Sequence, residues 1–419
     1  MSWRFIFAEA LAALKFHRGR TIFTTTSLAW GVACFVMLIS YGDGFRDALV
    51  KAFNAVGQNL VISFEGQTSS QEGGLRAGRH VKLDLADAAI VKETVPLVQA
   101  LSPEIMKYGV KANSGHRDKE ITLRAVYPEY EVVRNTKLAE GRWINDDDRL
   151  HQARVLVLGA KIAKDLFGEA PAMDQELTLN GVRFTVIGVL ESKLQIANYN
   201  TPDNQCGFIP YDTFSIFGDI RHPWFLVWKP VSGEATEQAV KQVRAKLAEL
   251  HNFAPTDEKA IEILAFGKFM SIVTGMSLAV QVLLGFVGTL TLAIGGVGLA
   301  NIMLTSVIDR TKEIGMIKAL GGRKSMILRQ FLVEASLVVA AGGALGIAAG
   351  WGATMLIGSM PFLGPAFQDK THVGDIRLGV SLTSIVVSTT VLFLVGLIAG
   401  LAPAIKAARM DPIQALHYE

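Results

Sequence analysis

The stretch Leu292–Gly322, LAIGGVGLANIMLTSVIDRTKEIGMIKALGG, decides how the rest of the chain is read. It begins as uncharged apolar helix and crosses without a break into Asp309-Arg310-Thr311-Lys312-Glu313. A short charged helix follows, Thr311 to Leu320, closed by Gly321-Gly322 at its C-cap. An apolar span that ends in a capped amphipathic helix and turns straight back into a second apolar run reads as a lever. It would pass force from a cytoplasmic partner to the membrane.

Composition agrees with a membrane protein. Of 419 residues, 50% are hydrophobic and 40 are glycine, a residue commoner in membrane helices than in soluble ones. A net charge of +3 is too small to argue for a nucleic-acid partner. Cys34 lies in an apolar run and Cys206 in a large polar region, so no disulfide framework is expected.

Working outward from the opening stretch, residues 269–308 carry no charge. As one helix they would extend about 60 Å, twice the ~30 Å of bilayer hydrocarbon. They form either one helix with an extramembrane stalk or a hairpin of two spans. Charge separates these. A hairpin would put the whole region 43–268 on the cytoplasmic side, against the cluster Lys15, Arg18 and Arg20 ahead of the first span. One long helix is therefore expected over 269–308, its first turns projecting from the membrane. The first span is residues 21–42, an uncleaved anchor because its apolar core is longer than that of a signal peptide. Before it, residues 1–20 read as a cytoplasmic interfacial helix, with Trp3, Ile6, Phe7, Ala10, Leu11 and Leu14 at helical spacing. The third span is 328–357, whose Gly342, Gly343, Gly346 and Gly350 permit close helix contact. The fourth is 378–402.

Cations cluster in the loop 309–327 and the tail 403–419, while the loop 358–377 carries only Lys370 and Arg377. Counting positive charges gives four spans, both termini cytoplasmic, and residues 43–268 outside. That outer region mixes helix and strand signals. Asp84 can cap a helix over Leu85–Val95, and helices are expected at Ala160–Phe167 and Glu234–Leu250. Strands are expected at Val61–Phe64, Val98–Leu101, Glu120–Val126, Arg154–Leu158, Glu176–Leu179, Arg183–Leu190, Gly207–Pro210 and Phe225–Trp228. Asn180-Gly181 joins two alternating runs as a tight hairpin. The fold class is thus an α-helical membrane protein with four transmembrane helices and a large α+β domain inserted between the first and second.

A search for chemistry returns little. Gly322-Arg323-Lys324-Ser325 has the wrong order for a phosphate-binding loop and reads as a helix C-cap followed by inside-positive residues. The eight histidines show no metal-ligand spacing, and Asp146-Asp147-Asp148 reads as a solvated turn. No Gly-x-Ser-x-Gly elbow is present. Catalytic residues, cofactors and metals are therefore not expected in this chain. No Asp, Glu, Lys or Arg lies deep within any of the four spans, which disfavours an ion-coupled carrier. Asn301 is the most polar side chain of the second span, either bonded across helices or tolerated facing protein.

The residues also carry a resemblance. Gly295-Gly296-Val297-Gly298, Asn301-Ile302-Met303-Leu304, Arg310-Thr311-Lys312-Glu313-Ile314-Gly315 and Lys318-Ala319-Leu320-Gly321 resemble the signature of the MacB/FtsX superfamily of ABC transporter permeases. The likeness extends through Gln330–Ala335 to the tail Asp411-Pro412-Ile413-Gln414-Ala415-Leu416. In the outer region Gly141-Arg142-Trp143, Val155–Gly159, Leu166-Phe167-Gly168 and Phe184–Val189 resemble the MacB-type periplasmic domain. The resemblance implies a multi-pass protein of the bacterial inner membrane that works as a dimer, homodimeric or heterodimeric. It implies a separate ABC ATPase subunit docked on a coupling helix, with Thr311, Lys312, Glu313, Ile314, Gly315, Lys318 and Leu320 at that contact. Gly295, Gly296, Gly298, Asn301, Gly342 and Gly343 would pack the bundle. A periplasmic adaptor and an outer-membrane channel are the further partners it suggests, besides membrane lipid.

MacB carries its ATPase on the same chain, ahead of the first span, so a stand-alone permease with a separately encoded ATPase is expected here. The leading function is an ATP-driven exporter subunit that transmits force to a periplasmic domain for an unknown substrate. The alternatives are an FtsX-like regulator of a periplasmic enzyme and a lipoprotein-releasing permease.

Overall fold

A computed structural model describes residues 18–416 apart from 56, 58, 72–75, 116, 196–198, 365–371 and 373. The expected interfacial helix therefore lies, up to residue 17, outside the described residues. The chain divides into two compact units. One comprises Leu49–Thr274 and Pro361–Gly374; the other takes the chain up to Ala48, Gly275–Met360 and the segment from Asp375 onward.

Helix α1 (Arg18–Asn54) opens the described chain and is followed by the strands and helices of the α/β unit. These are β1 (Val61–Gln67), β2 (His80–Val81), α2 (Leu85–Thr94), β3 (Val98–Asn113), β4 (Asp118–Val126), α3 (Tyr130–Arg134), β5 (Leu138–Gly141) and α4 (Asp146–Leu150). They continue as β6 (Val155–Leu158), α5 (Ala160–Phe167), β7 (Glu176–Leu179), β8 (Val182–Leu190), β9 (Cys206–Pro210), β10 (Phe225–Pro230), α6 (Thr236–His251) and β11 (Ile261–Ala265). The sheet runs β11-β1-β10-β3-β4-β9-β6-β8-β5, with β2 on β1 and β7 bridging β3 and β8. It is mixed: β4–β9 and β6–β8 are parallel and the other pairs antiparallel. Asn180 and Gly181 both take positive φ, 48° and 87°, the two-residue turn whose twist suits a hairpin.

Strand β3 spans 16 residues, far beyond the expected Val98–Leu101, because Ser102-Pro103 reads locally as a breaker. In the sheet, Pro103 sits opposite Leu226 and the Ser102 hydroxyl accepts from the Tyr127 amide at 2.9 Å. One half of β3 packs with α2 and α6, through Leu101, Val91 and Val243. The other half packs with α5, through Val110, Ala112 and Ile162, so β3 is common to both cores.

In the Asp146-Asp147-Asp148 segment Asp146 and Asp147 are exposed as expected, but Asp148 is buried and the segment is helical. Asn145 caps it as the one-turn helix α4, its side chain accepting from the Asp148 amide at 2.8 Å. Asp148 is 7% exposed and grips both terminal nitrogens of Arg142, at 2.5 and 2.9 Å. A bidentate pair of this kind is stronger than a single ionic contact.

The remaining elements are α7 (Phe266–Asp309), α8 (Thr311–Ala319), α9 (Lys324–Ile357), β12 (Ser359–Met360), β13 (Ile376–Arg377), α10 (Leu382–Arg409) and α11 (Pro412–Leu416). Four helices, α1, α7, α9 and α10, are long and apolar enough to cross a membrane. Helix α7 is unbroken over 44 residues. Lipid gives helices no hydrophobic reason to associate, so close packing must hold the bundle together. Gly342, Gly346 and Gly350 line one face of α9 against Leu28, Val32 and Val36 of α1. A Cβ added at Gly346 would stand 2.5 Å from the Val32 Cβ and 2.6 Å from the Ala29 carbonyl oxygen. Gly396 and Gly400 of α10 meet Val339 and Ala335 of α9 in the same way.

Gly346→Val is therefore expected to destabilise the bundle by about 1–3 kcal/mol, since an inserted side chain must push backbone aside. Gly352→Val, where nothing lies within 4 Å, is the matched control. Unfolding in detergent should separate the two; equal stability would show that the α1–α9 contact is dispensable.

Candidate coupling site

The site centres on α8, which follows α7 after the single residue Arg310. The Ile314 amide donates to the Arg310 carbonyl at 3.0 Å, starting the new helix. At the other end Gly321 has φ +92°, with Gly321 and Gly322 amides donating to Lys318 and Ile317 carbonyls at 3.1 and 2.9 Å. This is a Schellman cap, and the positive φ is what requires glycine at 321.

Helix α8 has two faces. Thr311, Ile314 and Gly315 are buried, and Ile314 joins an apolar cluster with Val307, Ile327, Phe331 and Ala404. Lys312 and Glu313 are exposed, as are Met316 at 56% and Leu320 at 84%. Lys318 serves a third purpose. Its ammonium donates to the Ala408 carbonyl at 2.9 Å and to that of Met410, satisfying the C-terminal carbonyls of α10. Just beyond, Asp411 accepts from the Ile413 amide at 2.9 Å and Pro412 occupies the first turn, so α11 forms and packs beside α8. Ile413, at the start of α11, is 69% exposed. The described surface of α8 and α11 thus sets exposed apolar side chains beside charged ones.

The junction is tied to the other helices. Arg20 of α1 meets Asp309 at 2.6 Å, both half-exposed. Arg310 lies 3.7 Å from Glu334, which is buried in the third turn of α9. The sequence places Glu334 and Ile413 within the family-like motifs without giving either a role, and gives none to Met316. The four-residue spacing of Lys312, Met316 and Leu320 is the signal that places Met316 on the outward face.

The expected packing residues fall differently. A Cβ at Gly295 would meet Leu28 at 3.2 Å, at Gly296 Val395 at 2.6 Å, at Gly342 Leu28 at 2.9 Å and at Gly343 Leu392 at 2.6 Å. At Gly298 it would meet nothing within 4 Å. Asn301 is exposed, and its carbonyl accepts from the Thr305 hydroxyl at 2.9 Å.

The α/β unit holds a buried charge network that sequence reasoning did not find. Asp203 accepts hydrogen bonds from Arg124 at 3.0 Å and Arg134 at 2.9 Å, and pairs ionically with Lys193 at 2.7 Å. Glu104 lies 3.4 Å from Arg124 and accepts the Tyr199 hydroxyl. Glu104, Arg124, Arg134 and Asp203 are each 0% exposed. Burial by itself would raise the Asp203 carboxyl, but Arg134, Lys193 and Arg124 outweigh it and hold that group well below the usual carboxylate range. Glu104 goes the other way: burial pushes its carboxyl up against the pull of Arg124. Burial also drives the Cys206 thiol up to about 12, the opposite of an activated nucleophile. Each charged member contacts an opposite charge in the network, so it braces β3, β4, α3 and the turn before β9, although Glu104 Oε1, Arg134 Nε and Nη1, and Asp203 Oδ2 make no hydrogen bond among the described residues. Among the described residues, no group of three or more His, Cys, Asp or Glu is placed to hold a metal ion.

Comparison with known proteins follows the same division. Residues 21–246 match the model of the MacB-like periplasmic core domain, and residues 285–412 that of the FtsX-like permease C-terminal region. The macrolide export ATP-binding/permease protein MacB of Wolinella succinogenes is 31% identical over 413 residues, covering 98% of this chain and 60% of that protein. The probable syringafactin export ATP-binding/permease protein SyfD of Pseudomonas syringae pv. syringae is 31% identical over 414 residues, covering 98% and 59%. The chain thus spans about three fifths of the length of these relatives. Among solved structures, the periplasmic region of MacB from Actinobacillus actinomycetemcomitans aligns with 54% of this chain and 97% of its own, at 21% identity and a TM-score of 0.41. The extracellular domain of the noncanonic ABC-type transporter YknZ from Gram-positive bacteria aligns with 49% and 100%, at 20% identity and a TM-score of 0.41. With its four apolar helices, a periplasmic-type core domain over just over half its length and the permease region behind it, the chain belongs to the MacB/FtsX superfamily of ABC transporter permeases.

Proposed function

We propose that this chain is the force-transmitting permease subunit of an ATP-driven exporter. An ABC ATPase docks on the outward face of α8, and its closure on ATP moves the periplasmic core domain. The observation that carries the reading is the two-sidedness of α8: Thr311, Ile314 and Gly315 hold it to the bundle while Lys312, Glu313, Met316 and Leu320 stand free. Two further facts support it. The relatives are named export ATP-binding/permease proteins. The helix that precedes α8 begins at Phe266, directly after the last strand of the α/β unit, so one continuous element runs from that strand to the docking helix.

In this reading Arg310, Lys312, Lys318, Arg323, Lys324 and Arg329 place α8 on the cytoplasmic side together with both termini. The core domain, residues 43–268, then faces the periplasm between the first and second spans. The permease works as a dimer, with an adaptor and an outer-membrane channel receiving the cargo. In this reading ATP hydrolysis belongs to the ATPase, and the described residues of this chain bind, position and move.

Met316→Glu with Leu320→Glu replaces the apolar part of the docking face by charge without touching the buried face. The pair is expected to reduce ATPase recovery at least tenfold when the permease is purified in mild detergent, with unfolding unchanged. Full recovery would show that the ATPase docks elsewhere.

A further inference from the structure

We propose that the pair of partly buried Arg310 and buried Glu334 is the joint through which movement of α8 reaches the third span, with Glu334 a positioning residue. The inference rests on the force-transmission reading above. Arg310 is the only residue between α7 and α8, and its backbone (φ −105°, ψ 17°) belongs to neither helix. The chain therefore changes direction there, and whatever holds Arg310 sets where α8 sits. Its side chain is 17% exposed and that of Glu334 6%, with 3.7 Å between them. Val307, Ile314, Phe331 and Ala335 from the flanking turns pack into one apolar cluster. Glu334 cannot lose Arg310 without being stranded in apolar surroundings, where an unpaired charge is strongly disfavoured. A displaced α8 must carry Arg310 with it, and Arg310 must carry Glu334 and α9.

The other ion pair at the junction does not have this property. Arg20 and Asp309 are 36% and 40% exposed, so water replaces either partner at little cost. The Arg310–Glu334 pair also keeps hydrogen-bonding capacity in reserve. The Glu334 Oε2 oxygen and the hydroxyl of Ser306, one turn before Arg310, are both buried without a hydrogen bond among the described residues. At 3.7 Å the contact is ionic rather than hydrogen-bonded, so it can tighten as α8 shifts.

The test places spin labels on Ala319→Cys, the exposed last residue of α8, and Leu356→Cys, 90% exposed near the far end of α9, in a Cys34→Ser background. In the full chain in nanodiscs, with the labelled chain diluted into excess unlabelled chain so that only the distance within one chain is read, one narrow distance distribution is expected. Glu334→Gln and Arg310→Gln should each broaden it at least twofold. The double variant Arg310→Gln/Glu334→Gln should be no broader than either single variant, and Glu334→Asp should recover most of the narrow distribution. Asp309→Asn should change nothing. Unchanged widths in the Gln variants, additive broadening in the double variant, or equal broadening by Asp309→Asn would each overturn the joint. The ATPase that co-purifies with the wild-type chain should still bind Glu334→Gln, because the docking face is untouched. Lost binding in that variant would make the pair part of the docking site and overturn the joint. Failure of any ATPase to bind the wild-type chain would sink the transmission reading, whereas the label widths, read without ATPase, decide the joint.

Discussion

Asp203→Ala is expected to cost the periplasmic core domain about 3–5 kcal/mol, because removing one partner of a buried ionic cluster strands the others. Arg124 and Arg134 would keep their positive charges at 0% exposure, with Glu104 the remaining carboxylate, 3.4 Å from Arg124. Total stabilities run from about 5 to 15 kcal/mol, so the loss is a large part of what holds such a domain together. Denaturant unfolding followed through Trp143 and Trp228, 7% and 0% exposed in this unit, would read it. A change under 1 kcal/mol would show that the network is not needed for folding.

The pH dependence has a definite sign. Asp203 titrates well below its ordinary value in the folded domain, so its contribution is fully present above the unfolded carboxyl pKa of about 3.9. It disappears only as pH falls through the much lower folded value. Glu104, raised by burial, contributes stability below its unfolded pKa of about 4.3, and that contribution is lost as pH rises through the folded value. Acidification from pH 7 to 5 should therefore take no stability through these two carboxylates. A marked decline over that interval in the wild type, absent in Asp203→Ala, would contradict the assignment.

Gly315→Pro is the second large effect, and it should be confined to coupling. Position 315 lies in the middle of the nine-residue α8, on its buried face. Proline there removes the amide that bonds one turn back and drives its ring into the carbonyl of residue 311, at about 3 kcal/mol. One intact turn would remain, too little to display Met316 and Leu320 on a common face. ATPase recovery and permease-stimulated hydrolysis should fall to background, while the unfolding of the α/β unit, which forms its own cores, stays unchanged. Retained stimulation would mean that α8 is not the coupling element.

What could be read from the sequence is local. The Asn180-Gly181 hairpin, the Gly321-Gly322 cap and helix Ala160–Phe167 were legible because turn and cap chemistry depends on residues a few positions apart. The four apolar runs were legible because lipid demands length and the absence of charge. Helices α3 and α4, at five residues each, were missed because so short an element has no period to show. Strand β3 was cut short because Pro103 argues against a strand until β10 lies beside it.

The sites divide along the same line. The charged, capped character of Thr311–Leu320 is a property of the sequence alone, set by residue type and spacing. Which of its residues turn outward, that Gly296 meets Val395 while Gly298 meets nothing, and that Glu104, Arg124, Arg134 and Asp203 converge are decided only by the tertiary structure. A buried charge is stable only where distant segments bring its partner, and a glycine is a contact only where a second helix arrives.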